Sequence, residues 1–306
     1  MAGNRLELGS AIDLVAAVVA DRAQSSDLRV LFVKGPFFAA LGLRSPKDSL
    51  DLDVLLTPRD VDRLARMLGE DGWSQRDDPN ARLPFEEHSA TLVHPFWPCS
   101  IDVHRFWLGL LGDAQEAFEH LWSRHVVVEL NGVRYDVPCR EDATILLALN
   151  EIRGGWTHRP MLDEVVARSS ERWGDRAGEV LRAAASELSA ELTAAPFLAE
   201  LGEEVPLPGS PPEVYREWMH RLRAESRGAS AWLLSFDHLP LRLWPRQIID
   251  ALALRPSQLR ALRPDAPTGP LGLASAWFHR IAHGVRGGAH AVRALAQDLR
   301  ERRRGR

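Results

Sequence analysis

The sequence of 306 residues is poor in cysteine and lysine and has no long apolar run. The two cysteines, Cys99 and Cys139, have no metal-type spacing, and we interpret them as buried small hydrophobic residues in a reducing compartment. No segment approaches the roughly eighteen consecutive apolar residues of a membrane span. The amino-terminal stretch has acids among its apolar residues, which is typical of an amphipathic helix and not of a signal peptide. We therefore expect a cytoplasmic protein without a membrane partner.

Nearly all of the basic side chains are arginines. Of the 38 basic side chains, only Lys34 and Lys47 are lysines, and both lie in one segment of the chain. A bias toward arginine is typical of a GC-rich genome and does not by itself indicate a function. The formal net charge is −4, so a nucleic-acid partner is not favoured by overall charge.

The hydropathy pattern divides the chain in two. Strand patterns occur at 28–33, 49–56, 87–95 and 100–106. Asn131-Gly132 between two alternating runs predicts a β-hairpin over 125–137. Thr57 and Pro58 predict the start of a helix. After Pro138 the patterns are helical as far as residue 303. We therefore predict an α+β protein, with an α/β domain of mixed sheet and helices over residues 1–138 and an all-helical region over 139–306.

Two acids interrupt an apolar strand in the segment DLDVLL at 51–56. Residues two apart in a strand project from the same face, so Asp51 and Asp53 lie side by side. Like charges this close repel each other unless a cation binds them, and Mg²⁺ prefers carboxylate oxygens. Asp102 has the same apolar–Asp–apolar context, and strand pairing can bring it beside the other two. Three such carboxylates can hold two metal ions for phosphoryl transfer.

The segment before these acids has features of a phosphate site. Lys34-Gly35 stands where a strand ends and a helix begins, and the first turn of a helix offers N–H groups to phosphate. Lys34 adds a positive charge, and Arg44 can form a forked pair with phosphate. A lysine that merely extends from the strand end, and an ordinary loop arginine, remain alternatives.

The chain resembles the nucleotidyltransferase superfamily of the DNA polymerase beta fold in Lys34-Gly35, Arg44, DLDVLL at 51–56 and IDVH at 101–104. More narrowly, it is similar to a bacterial family of uncharacterised nucleotidyltransferases with the pattern KG, arginine, DhDhLh and hDhH, where h is apolar. The similarity extends over 140–165, where Asp163 takes the place of that family's second-helix aspartate. Gly35-Pro36 departs from the Gly-Ser loop of the wider superfamily.

This resemblance implies transfer of a nucleoside monophosphate from a nucleoside triphosphate to an acceptor, with release of pyrophosphate. Asp51 and Asp53 would bind Mg²⁺, with two ions expected and Mn²⁺ as an alternative. Asp102 would be the third carboxylate and would lower the pKa of the acceptor hydroxyl. Lys34, Gly35 and Ser49 would lie along the triphosphate.

Other residues near these motifs keep two interpretations each. His104 faces the same side as Asp102 and either orients substrate or is a structural histidine. A zinc set of Asp102 and His104 with His88 and His94 matches no standard spacing. Asp163 either forms a salt bridge or closes over the acceptor. Trp97 and Trp107 either stack on a substrate or pack in the core, and the basic tail from Arg293 is either solvated or docks a phosphorylated partner.

Three functions are therefore compared. The first is a metal-dependent nucleotidyltransferase acting on a small molecule, a peptide or a protein. The second is a toxin-like nucleotidyltransferase that modifies tRNA or protein, although Pro36 stands where those toxins have a second glycine. The third is a non-catalytic member that binds nucleotide or a partner, and the intact Asp51, Asp53 and Asp102 argue against it.

Overall fold

The computed structural model describes residues 7–76, 87–210, 212–225, 269, 271–275 and 277–278. Residues 271–275 and 277–278 are helical, as predicted. The other helical patterns beyond residue 225 and the basic tail from Arg293 lie outside the described residues.

A five-stranded mixed sheet forms the centre of the amino-terminal part, in the order β1-β2-β5-β4-β3. Strands β2 and β5 are parallel, and the other neighbours are antiparallel. The strands are β1 (Leu31–Val33), β2 (Asp51–Leu55), β3 (Ser74–Gln75), β4 (Ser89–Val93) and β5 (Ser100–His104). The side chains that alternate with the acids of β2 and β5 are buried and apolar, namely Leu52, Val54, Ile101 and Val103. This alternation gives the sheet one apolar face and one face that carries charge.

The predicted hairpin is confirmed. Strands β6 (Val126–Leu130) and β7 (Val133–Val137) pair antiparallel around Asn131 and Gly132. Both turn residues have positive φ, 51° and 77°, which is what a two-residue turn of this kind requires. Tyr135 of β7 packs edge-on against Phe32 of β1, with ring centroids 4.8 Å apart, so the hairpin lies against the sheet.

Helices make up the regular structure that follows the hairpin, and in the described part of the chain no strand follows residue 137. The α+β prediction is therefore confirmed. The helices are α1 (Leu8–Ser25), α2 (Gly35–Ala40), α3 (Val61–Glu70), α4 (Ala114–Ser123), α5 (Arg140–Arg153), α6 (Arg159–Trp173), α7 (Ala177–Glu187), α8 (Glu191–Glu200) and α9 (Glu213–Glu225).

The predicted start of the third helix is wrong. Helix α3 begins at Val61, with Asp60 in the capping position. The Thr57 hydroxyl donates a hydrogen bond to the Asp60 carboxylate instead of capping a helix, and the Asp60 amide donates to the Thr57 carbonyl. Thr57 and Pro58 therefore belong to a turn before the helix, because a threonine side chain can stabilise either structure.

The chain forms two compact units. Met1–Arg76 and His88–Trp218 make up the first, which contains the sheet, the hairpin and helices α1 to α8. The second comprises Asp77–Glu87 and Met219–Arg306. The proposed division into domains at residue 138 stays a prediction. Among the described residues, no helix is both long and apolar enough to span a bilayer.

Candidate functional site

Strand register brings the acids of two sequence motifs together. Asp53 of β2 lies directly beside Asp102 of β5 in the parallel pair, and Leu55 lies beside His104. Because side chains alternate along a strand, Asp51, Asp53, Asp102 and His104 all project from one face of the sheet. The face shared by these four side chains is the candidate site.

Asp53 is the buried centre of the site, with 3% of its surface exposed. Its Oδ1 accepts a hydrogen bond from Lys34 Nζ at 2.7 Å and lies 2.8 Å from His104 Nε2. Burial alone would raise the pKa of Asp53, but Lys34 and His104 lower it to about 2. Asp53 is therefore an anion held by two nitrogen groups. Lys34 and His104 therefore compensate the negative charge of Asp53, which reduces the expected repulsion between Asp51 and Asp53.

The carboxylate of Asp51 is less well compensated than that of Asp53. Burial raises its pKa, and the nearby carboxylates of Asp53 and Asp102 raise it further. Lys34 and a hydrogen bond from Ser49 oppose this effect, with Ser49 Oγ 3.1 Å from Asp51 Oδ1. A rise in pKa that neighbouring carboxylates cause indicates a place where added positive charge would be favourable.

The site has the donor atoms that a divalent metal ion needs. One ligand atom each from Asp53, Asp102 and His104 lie within 4.8 Å of one another. Asp102 Oδ1 and His104 Nδ1 are buried, and neither has a hydrogen-bond partner in the described structure. A buried carboxylate oxygen without a partner is costly, and a bound cation would remove that cost. The residues therefore fit a metal ion. Asp51 stands on the same face beside this group of three.

The phosphate-site candidates lie at the same end of the sheet. Lys34 ends the run from β1, and Gly35 begins α2 with φ of 45°. A Cβ on Gly35 would lie 3.9 Å from the Cβ of Ser49, so these two residues are neighbours. Arg44 is half-buried in the connection between α2 and β2 and makes no hydrogen bond or ion pair with the described residues. The structure thus brings Lys34, Gly35 and Ser49 together beside the acids.

Trp107 packs against two residues of the site, Lys34 and His104. It is buried, its indole N–H donates to the Leu146 carbonyl of α5 at 3.0 Å, and its ring lies 5.0 Å from Lys34 Nζ. The ring also packs against His104, with centroids 4.9 Å apart. Of the two interpretations of Trp107, packing is the one that fits its position. It also provides an aromatic face for the ammonium of Lys34.

Strand β4 adds two hydroxyl groups that the sequence interpretation missed. Thr91 pairs with Asp102 and Ser89 pairs with His104, so both hydroxyls share the face of the site. The signal was present in the sequence as two polar residues at alternate positions of an apolar strand. The strand order was needed to place them beside Asp102.

Two other candidates take structural positions. Asp163 is 55% exposed and forms an ion pair with Arg159 Nε at 2.7 Å, one helical turn away. His94 packs against Trp73, with ring centroids 5.3 Å apart, and is not part of the group of potential ligands. His88 lies nearer, with its ring centroid 5.7 Å from that of His104.

Comparisons with known proteins identify the family. A family model described as an uncharacterised nucleotidyltransferase matches residues 16–201. A crystal structure of an antigenic nucleotidyltransferase-like protein from Paracoccidioides brasiliensis is 14% identical, with 63% of this chain and 93% of that chain covered and a TM-score of 0.39. No curated protein sequence matches the chain. Because the family model spans more than half of the sequence, the chain belongs to this family of uncharacterised nucleotidyltransferases.

Proposed function

We propose that the protein is a metal-dependent nucleotidyltransferase that transfers a nucleoside monophosphate from a nucleoside triphosphate to an acceptor hydroxyl or phosphate. The observation that carries this proposal is the pairing of Asp53 with Asp102 in a family of nucleotidyltransferases, with a buried oxygen of Asp102 left without a partner. Carboxylates on adjacent parallel strands are held rigidly, because the backbone ladder fixes their spacing.

Asp51, Asp53 and Asp102 would hold the metal, with His104 as a fourth neighbour. Mg²⁺ is the expected ion, with two ions bound, and Mn²⁺ is the alternative, since an imidazole close to carboxylates also suits softer divalent ions. When bound, such ions neutralise the developing charge on the entering and leaving oxygens.

The side chains of this chain have separate tasks in the proposed reaction. Lys34, Gly35, Arg44 and Ser49 bind the triphosphate and orient the α-phosphorus. Asp102 accepts the proton of the acceptor hydroxyl, whose oxygen forms a bond to that phosphorus while the bond to the pyrophosphate breaks. His104 holds Asp53 in position through its 2.8 Å contact. The excess negative charge at Asp51 favours binding of the metal.

The nucleotide and the acceptor stand on opposite sides of Asp102 in this proposal. Lys34 and Ser49 are on the β1 and β2 side, whereas β4 lies on the other side of β5. The acceptor would therefore approach over Ser89 and Thr91. Neutral hydroxyls suit an uncharged polar acceptor, such as a sugar, a small alcohol or a hydroxyl-bearing side chain of a peptide or protein.

The test is release of pyrophosphate from ATP, GTP, CTP and UTP with Mg²⁺ or Mn²⁺, in the presence of small-molecule, protein and tRNA acceptor mixtures. Asp53→Asn and Asp102→Asn should each lower the rate by about a hundredfold or more, because the metal supplies several kcal/mol of stabilisation. Asp62→Asn is the matched control, since Asp62 is 75% exposed on α3. A rate that both site variants retain would refute the proposal, and labelling of tRNA alone would support the toxin-like alternative.

A further inference from the structure

The ammonium of Lys34 lies beside the buried carboxylate of Asp53 and the ring of Trp107. The ammonium lies 2.7 Å from Asp53 Oδ1 and 5.0 Å from the Trp107 ring, and only 16% of the Lys34 side chain is exposed. The ammonium is therefore largely removed from water and depends on Asp53 for its compensation. Lys34 is the positive partner of the site in the structure as it stands.

The same carboxylate also belongs to the candidate metal ligands. Asp53 contributes one ligand atom to the group with Asp102 and His104, and it is the only carboxylate that Lys34 contacts among the described residues. A divalent ion on Asp53 would place positive charge within a few ångströms of the ammonium, and the two would repel each other. Lys34 and the metal ion therefore compete for one side chain.

The backbone at Lys34 points to a role for its side chain. Its φ of 59° and ψ of −157° lie in a region that is occupied almost solely by glycine. A residue with a Cβ is strained there, and glycine would relieve that strain. The chain has a lysine at this position although it has only one other, Lys47. Strain of this kind is found at functional sites, where a side chain is needed in a particular place.

We propose that Lys34 is an exchangeable counter-ion, whose ammonium neutralises Asp53 before substrate binds and moves to a phosphate oxygen when metal and nucleotide enter together. The proposal rests on the function proposed above and adds to it a coupling between metal binding and nucleotide binding. Metal alone must displace Lys34 without offering it a new partner. When metal binds together with a polyphosphate, the phosphate oxygens become new partners for the Lys34 ammonium, because lysine binds phosphate well. Metal and polyphosphate should therefore bind cooperatively.

The experiment compares Lys34→Gly and Lys34→Gln with the wild-type protein. Glycine suits the backbone at this position, and glutamine keeps a hydrogen-bond donor near Asp53 without the charge. Lys47→Gln is the matched control, because among the described residues the Lys47 ammonium makes only a 3.9 Å contact to Met161 Sδ, on the exposed surface. Binding of Mn²⁺ alone is measured by the electron paramagnetic resonance signal of the free ion, and binding of Mg²⁺–tripolyphosphate by calorimetry.

The two affinities should change in opposite directions. Both Lys34 variants should bind Mn²⁺ alone about tenfold more tightly and Mg²⁺–tripolyphosphate about tenfold more weakly, since one repulsion and one attraction are lost. The control should match the wild type in both measurements. A purely structural lysine would weaken both affinities, so opposite changes are the distinguishing result.

Each other outcome overturns the proposal. Unchanged Mn²⁺ affinity in both variants, or a loss of both affinities, would show that Lys34 does not exchange partners. If the wild type binds Mg²⁺–tripolyphosphate and Asp53→Asn abolishes this, the proposed function survives such a result. If neither the wild type nor any variant binds metal with or without tripolyphosphate, the proposed function fails as well.

Discussion

Asp53 is the residue on which the site depends most directly. It is nearly inaccessible to solvent, and its charge is compensated by Lys34 and His104 through a single oxygen. Removal of one partner of a buried ion pair is costly because the other charge stays buried. The carboxylate therefore stabilises the folded chain in the absence of metal, in addition to its proposed role as a ligand.

This gives the stability of the protein a defined dependence on pH. The pKa of Asp53 falls from 3.8 to about 2 on folding, so its contribution is fully present above about pH 4 and is lost as the pH falls toward 2. The contribution amounts to about 2 kcal/mol. Asp53→Asn should therefore be less stable than the wild type near pH 5, and the difference should shrink as the pH decreases. Urea denaturation with a chelator present measures this difference in the free energy of unfolding, with Asp62→Asn as control. A difference that does not change with pH would contradict the lowered pKa of Asp53.

At the scale of elements, helix α6 holds the connection that carries Arg44 and Ser49. The Glu164 carboxylate accepts hydrogen bonds from the amide and the hydroxyl of Ser45, each at 2.7 Å. Arg168 binds both Glu164 and Ser45, with its Nε 2.9 Å from the Glu164 carboxylate and its Nη2 2.9 Å from the Ser45 hydroxyl. Through these bonds a helix distant in sequence positions the proposed triphosphate residues.

Glu164→Gln should loosen this connection. The variant loses a charged acceptor of three hydrogen bonds, two from Ser45 and one from Arg168, at a partly exposed position. This loss should lower the free energy of unfolding by about 1 kcal/mol. The dissociation constant for Mg²⁺–tripolyphosphate should rise by about threefold or more, because the loop must be ordered on binding. Binding of Mn²⁺ alone should not change. Glu179→Gln is the control, since in the described part of the chain Glu179 pairs only with the exposed Arg176. Equal tripolyphosphate affinities in both variants would refute the coupling.

At the scale of the whole molecule, the helices after residue 138 complete the core of the part before it. Trp107, which lies beside Lys34 and His104, is anchored to the Leu146 carbonyl of α5. A Cβ on Gly109 would come within 2.9 Å of Leu149, so the chain there needs a glycine and packs closely on α5. The Thr193 hydroxyl of α8 donates to the Gly109 carbonyl at 2.6 Å.

The change in secondary structure at residue 138 should therefore not be a boundary between units that fold separately. A chain that ends at Pro138 exposes the surface that α5 and α8 bury and should not unfold cooperatively. A chain that ends at Glu225 retains the whole first compact unit and should melt cooperatively and bind Mn²⁺ as the full chain does. Thermal melts and the free-ion signal test both chains, and cooperative melting of the shorter one would contradict this view.

Local chemistry determined much of what was predicted from the sequence. Alternation placed Asp51 and Asp53 on one face of a strand, and Asn131-Gly132 specified the hairpin, because both depend on neighbours a few residues apart. The loss of strand patterns after Pro138 matched the helices that are described there. The start of α3 was the local error, since Thr57 can serve a turn as well as a helix cap.

Only the tertiary structure decided the composition of the site. The strand order β1-β2-β5-β4 and its register set Asp102 beside Asp53 and placed Thr91 next to them, and no local pattern encodes which strands pair. Lys34 was predicted to bind phosphate, but its contact with Asp53 follows from the pairing of β1 with β2, which sets the end of β1 beside Asp53. The sequence determined which chemical groups were available for a metal and nucleotide site. Long-range packing decided which of them touch, because those distances depend on strand pairing and helix contacts across the whole chain.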